Sequence, residues 1–190
     1  MVGAIIIFVA STYVQEINAS LQQPSDQGYS RDMQELHERF NQDKGKVRLL
    51  LLLSPTCPEC LRGASEIQSK VLEKIKDSDV RVYAVYLPIL KPDEEGRIPI
   101  AMKRLSDKRI NFYWDSKGEL AQSYSRILPL GHQPAWDIYL LFNRDEEWKT
   151  DPPAPDYWMH QLSGVSTDRR LDGQKFADET KKMLRINGDR

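Results

Sequence analysis

The run Val47–Leu53, VRLLLLL, stops at Ser54-Pro55-Thr56 and is followed at once by Cys57-Pro58-Glu59-Cys60. Seven residues with a single charge, Arg48, suit a central strand buried on both faces. After the cysteines, Leu61, Ala64, Ile67, Val71, Leu72 and Ile75 share one helical face, which predicts a helix over about 58–76. Pro58 belongs at its first position, where a missing N–H costs nothing. Asp77-Ser78-Asp79 breaks the pattern, and VRVYAVYL, 80–87, reads as a second strand. The cysteines therefore stand at a strand-to-helix junction inside a β-α-β unit, whose parallel strands are joined with right-handed sense.

The rest of the chain extends this pattern. RDMQELHERFNQ places Met33, Leu36 and Phe40 at helical spacing ahead of the first strand, with Gly45 closing the helix. PILKPDEEGRIPI, 88–100, carries three prolines and a charge cluster and reads as an exposed connection. A short helix over about 99–107 follows, then a strand at 110–114. Asp115-Ser116-Lys117-Gly118 is a turn signal, and ELAQSYSRIL is a helix ending before Pro129. AWDIYLLF, 135–142, reads as a strand entered directly after Pro134, and YWMHQL, 157–162, as its hairpin partner. A last helix carries Phe176, Ala177, Thr180, Met183 and Leu184 on one face, with Asp172 as its cap. The expected architecture is α/β: a central mixed sheet with helices on both faces, and an insertion between the second and third strands.

At 190 residues the chain suits one substantial domain, placed at 30–190, behind an N-terminal extension at 1–29. Val2–Ala10 is apolar but far shorter than the roughly 20 residues of a membrane-spanning helix. It fits the core of an export signal with Ile17-Asn18-Ala19 as cleavage site, although no Lys or Arg precedes it. The alternative is a buried extension of the domain. An exported or membrane-anchored location is thereby slightly favoured over a cytoplasmic one, and membrane association is expected only if this segment is an anchor. Asn18-Ala19-Ser20 matches a glycosylation acceptor. A net charge of −1 gives no sign of the basic surface that nucleic-acid binding needs.

Cys57 and Cys60 are the only cysteines. They are too few for a disulfide scaffold. His37, His132 and His160 are scattered, so a four-ligand zinc site has no support. Three readings stay open: inert buried thiols, half of an intermolecular metal site, or a dithiol/disulfide centre. The last has a physical basis in the junction. A helix N-terminus stabilises a thiolate through unpaired N–H groups and the dipole. Cys60, one turn on, can reach back to Cys57, so that Cys57 attacks a disulfide and Cys60 resolves the mixed intermediate.

SPTCPECL, placed between strand and helix, and GHQPAWDIYLLF together resemble the thioredoxin superfamily. In element order the likeness runs over about 30–186, and FYWDSKGELAQSY resembles the strand-turn-helix of its larger, peroxiredoxin-like members. The resemblance implies a thioredoxin-like fold and thiol–disulfide oxidoreductase activity without cofactor or metal, on protein or small-molecule thiols and disulfides. Cys57 matches the nucleophile and Cys60 the resolving thiol. Pro134 matches a cis-proline facing the pair, and the Gln133 backbone would add an extended substrate as a strand. Thr56 stands where thioredoxin has a tryptophan, beside the nucleophile, and is a further substrate-contact candidate. Thioredoxin also keeps a buried acid in the preceding strand, whereas VRLLLLL has none. Glu59 could partly substitute, although its charge would disfavour the Cys57 thiolate.

Two alternatives are a soft-metal, copper-type thiol chaperone with His132 as third ligand, and a redox-inactive interaction domain. The plainer reading of His132 is a loop residue. Trp136 is expected in the core or a pocket wall. Trp114, Trp148 and Trp158 are expected to pack, and Asp115 to serve a turn. Asp137, inside an apolar strand, needs a partner if buried. Asp93-Glu94-Glu95 and Arg144–Glu147 read as solvated loops.

Overall fold

A computed structural model describes residues 28–185. The readings of Val2–Ala10, the cleavage site and the glycosylation acceptor lie outside the described residues. The elements are α1 (Met33–Gln42), β1 (Val47–Leu53), α2 (Pro58–Glu66), β2 (Val80–Tyr86), α3 (Ile98–Met102), β3 (Ile110–Trp114), α4 (Glu119–Ile127), β4 (Ile138–Phe142), β5 (Tyr157–His160) and α5 (Gly173–Arg185). The strand order is β3-β2-β1-β4-β5. β1, β2 and β3 run parallel, while β4 is antiparallel to both β1 and β5. The sheet is thus mixed, with β1 at its centre, and the segment between β2 and β3 holds α3 as the expected insertion. Among the described residues no helix is long and apolar enough to cross a membrane.

Alternation along β1 builds both layers. Leu49, Leu51 and Leu53 pack with Ile67, Val71, Leu72 and Phe176 on one face. Leu50 and Leu52 pack with Leu36, Phe40, Leu120 and Tyr124 on the other. All five leucines are essentially inaccessible, and their burial is worth together on the order of 10 kcal/mol. Arg48, the one charge in the run, is also fully buried. Its guanidinium donates to the carbonyls of Phe40 and Asn143 and lies 4.3 Å from the Phe40 ring centroid. These contacts offset part of the cost of removing a charge from water.

Two predicted boundaries move, each for a visible reason. The helix after the cysteines continues past Glu66 as a π-helical stretch, Ile67–Leu72, and stops there rather than at 76. Arg109 takes the Leu72 carbonyl, which the 76 N–H would use in a continuing helix, and also donates to the carbonyls of Ile75 and Asp77 just beyond. β4 begins at Ile138, not at Ala135. The Ala135 N–H donates to Ala121 of α4, and Asp137 adopts a left-handed backbone at φ 52°, so the chain cannot enter the sheet sooner. Asp172 caps α5 as expected, accepting from Gln174 and Lys175 N–H.

Candidate active site

Three chain segments converge at the carboxyl end of β1. The antiparallel pairing sets Leu52 against Ile138, so the residue before β4, Asp137, arrives beside the turn that follows β1. Ile138 pairs in turn with His160, which brings Gln161 to the same end. The Gln161 N–H donates to the Asp137 carbonyl at 3.0 Å.

Cys57 is the N-cap of α2, and its Sγ accepts from the Cys60 N–H at 3.5 Å. Cys60 Sγ in turn accepts from the Ser54 N–H at 3.4 Å. Both thiols are free and buried, Cys57 at 5% exposure and Cys60 at 1%. Their environments split them. The Cys60 side-chain hydrogen bond lowers Cys57 to about 7, against burial and the charges of Asp137 and Asp93, which raise it. Burial pushes Cys60 strongly up, and the hydrogen bond it gives to Cys57 and the Asp137 charge add to that. One sulfur is therefore readily ionised near neutrality, and its neighbour keeps its proton.

Asp137 is the third member of the cluster. Its carboxylate oxygen, Cys57 Sγ and Cys60 Sγ all lie within 4.8 Å of one another. The Asp137 carboxylate accepts from Tyr139 Oη at 2.7 Å and Gln161 Nε2 at 3.0 Å. Burial raises its pKa, opposed by those two hydrogen bonds, by one from Cys60 and by the Arg62 charge. Gln161 Nε2 also reaches the Glu59 carbonyl, and Arg62 donates to Gln161 Oε1. Glu59 itself turns outward into an ion pair with Arg62. The carboxylates that act on Cys57 are thus Asp137 and Asp93.

The turn that carries Cys57 is held from the other side. Asp93 accepts from Ser54 Oγ at 2.9 Å, from Thr56 N–H at 3.2 Å and from Thr56 Oγ1. Its second oxygen accepts from the N–H groups of Ile89 and Leu90. Ser54 Oγ in turn accepts from the Cys57 N–H. Asp93, read from sequence as part of a solvated loop, is a clamp between the β2–β3 insertion and the cysteine turn. The available signal was the hydroxyl pair Ser54 and Thr56 flanking a proline, donors that need an acceptor once buried.

The other sequence candidates sit as follows. Thr56 is half-buried next to Cys57, with its hydroxyl committed to Asp93. Among the described residues no peptide bond is cis, so the Gln133–Pro134 bond is trans, contrary to expectation. Pro134 is exposed, and the turn into β4 is made by left-handed backbone at His132 (φ 68°) and Asp137. The Gln133 backbone is already engaged: its N–H donates to Leu130, and its carbonyl accepts from Ser125 Oγ. It is not a free edge for an incoming strand. His132 is exposed and stands outside the donor cluster, in which Asp137 takes the place expected of a third ligand. Trp136 packs against both core clusters, and Trp114, Trp148 and Trp158 are buried.

No protein-family model and no curated protein matches the chain. The solved structures that share its fold include two from bacteria. One is described as a secreted Mycobacterium tuberculosis disulfide oxidoreductase homologous to E. coli DsbE. It is 11% identical at a TM-score of 0.50, over 74% of this chain and 84% of its own. The other is a putative thiol:disulfide interchange protein DsbE from Chlorobium tepidum. It is 17% identical at a TM-score of 0.50, over 76% of this chain and 84% of its own. The fold is thioredoxin-like.

Proposed function

We propose that the chain performs thiol–disulfide exchange through Cys57 and Cys60, on protein or small-molecule thiols and disulfides. The observation that carries this is the split between two adjacent sulfurs at a helix N-terminus. Cys57 sits at about 7 and Cys60 far above. Attack requires thiolate, and a thiol with a pKa near ambient pH combines thiolate fraction with nucleophilicity. Cys57 attacks a substrate disulfide, and Cys60 then displaces the substrate from the mixed disulfide. Likeness to folds described as disulfide oxidoreductases supports the reading. An exported or membrane-anchored setting belongs to the same proposal, since the Mycobacterium protein is described as secreted.

Reduction of insulin disulfides with dithiothreitol as electron source tests it. Cys57→Ser should abolish turnover, and Cys60→Ser should stall as a mixed disulfide visible by mass. If both variants turn over like wild type, the proposal fails.

A second reading rests on the three-donor set of Cys57, Cys60 and Asp137. Two thiolates and a carboxylate could hold a soft or borderline cation. Equimolar retention of zinc by the reduced protein in equilibrium dialysis, lost in Cys57→Ser and unaffected by His132→Ala, would favour it.

A further inference from the structure

We infer that Asp137 is a catalytic residue of the dithiol centre: it takes the proton of Cys60 as Cys60 attacks the mixed disulfide, and returns it to the departing thiolate. The inference rests on the dithiol reading above and adds the group that moves the proton.

The need arises from burial. Cys60 is 1% exposed, so bases in solvent reach its proton poorly at neutral pH. Burial holds the thiol protonated at neutral pH. Yet the resolving step needs sulfur lone-pair density, so the proton must leave as the S–S bond forms. Among the described residues, the Asp137 carboxylate lies within 4.8 Å of both sulfurs. The other neighbouring titratable and charged groups do not supply a base. Tyr139, on β4, donates to Asp137. Tyr86, on β2, is fully buried with its hydroxyl unpartnered, and burial raises its pKa, so the phenol keeps its proton and is no base. Arg62, at the rim, is paired with Glu59. His160, on β5, is held between the Ser166 carbonyl and the Leu162 N–H. Asp93 is saturated by the Ser54–Thr56 turn and the 89–90 backbone.

Asp137 is also built for the task. Its left-handed backbone is one that few residue types adopt without strain, aspartate and asparagine being among the exceptions. Tyr139 and Gln161 fix its carboxylate while leaving capacity for a further proton.

The step balances without another reactant. Cys60 Sγ–H gives its proton to Asp137, and the sulfur bonds to Cys57 Sγ. The bond from Cys57 Sγ to the substrate sulfur breaks, and its electron pair leaves on that sulfur. The departing thiolate then takes the proton from Asp137. The substrate disulfide is reduced and the Cys57–Cys60 dithiol is oxidised.

Reaction of the reduced protein with 5,5′-dithiobis(2-nitrobenzoate) separates this inference from the dithiol reading. Attack by Cys57 releases one chromophore, and resolution by Cys60 releases the second. In Asp137→Asn the first phase should stay within a few-fold of wild type. The second should fall by about 10²-fold or more at pH 7, the low end for a lost general base. That deficit should shrink as pH rises and hydroxide replaces the carboxylate. Gln161→Met, which removes a hydrogen bond that stabilises the ionised carboxylate, should move the second-phase pH midpoint upward. A second phase within threefold of wild type in Asp137→Asn from pH 5 to 9 overturns the inference. So does an equal slowing of both phases, which would mark a structural role. Absence of a first phase in wild type would instead sink the dithiol reading.

Discussion

Gly63 tests whether Tyr139 stands where the site requires it. The residue is in the middle of α2, where replacement of glycine by alanine ordinarily gains about 1 kcal/mol. Here a Cβ would fall 1.9 Å from Tyr139 Oη, 2.5 Å from Gln161 Nε2 and 2.7 Å from Tyr139 Cζ. Tyr139 is fully buried in the centre of the sheet and cannot swing to solvent. Relieving the clash means displacing the hydroxyl and amide that hold Asp137. Overpacking of this kind costs about 1–3 kcal/mol. A lost hydrogen bond to a charged acceptor costs about 1.5–3 kcal/mol more. Less the helix gain, Gly63→Ala should destabilise the protein by about 1.5–5 kcal/mol. Equilibrium denaturation in urea reads this directly. In a chain of this size the thermal midpoint should fall by about 3–20 °C. A neutral or stabilising result, as helix propensity alone predicts, would refute the close approach of Tyr139 to α2 and the network built on it.

The rate of Cys57 alkylation by iodoacetamide should rise with pH around a midpoint near 7, and Cys60→Ala should move that midpoint upward, because the Cys60 hydrogen bond is the largest influence lowering it; an unmoved midpoint would contradict the split. Asp43 gives a stability test at the far end of the sheet. Burial raises its pKa, but hydrogen bonds from Lys46 and Tyr83 outweigh this and hold it below the ordinary 3.8. A lowered folded-state pKa contributes stability that is complete above the unfolded value and lost as pH falls through the folded one. Asp43→Asn should therefore be less stable than wild type at pH 7 by urea denaturation, with the gap closing below about pH 4.

Periodic features were the legible part of this fold. A buried seven-residue run, its helix and the second strand could be read from alternation and spacing alone, because each side of β1 meets its own apolar layer. The cysteine turn was legible for the same reason, since Pro58 and the helix onset fix where Cys57 caps. What escaped lies in non-local side-chain geometry. Asp93 looks like any acidic loop residue until Ser54 and Thr56 turn toward it from a segment nearly forty positions away. Pro134 drew attention as the matching proline, but the residue that reaches the sulfurs is three further on. No periodicity encodes the left-handed step at Asp137 that delays β4. Asp137 carried the one usable hint: a carboxylate amid apolar strand residues must have partners, and here they are Tyr139, Gln161 and the thiols.

The carboxylates around Cys57 bear on the direction of electron flow. A strongly oxidising dithiol owes its potential to a stabilised reduced state, with a nucleophile as acidic as about 3.5 and a potential near −120 mV. A reductant such as thioredoxin has a nucleophile near 7 and a potential of about −270 mV. Cys57 lies at about 7, with Asp137 and Asp93 both acting against its thiolate. Negative charge beside the pair disfavours the thiolate form and so favours the disulfide, which makes the dithiol a better electron donor. The Cys57–Cys60 potential, measured against a glutathione redox buffer, should accordingly fall nearer −270 than −120 mV. Asp137→Asn removes one of the two opposing charges, lowers the Cys57 pKa and should shift the potential upward. A wild-type value near −120 mV, or a downward shift in the variant, would mean that the thiolate is stabilised by something other than the Cys60 hydrogen bond.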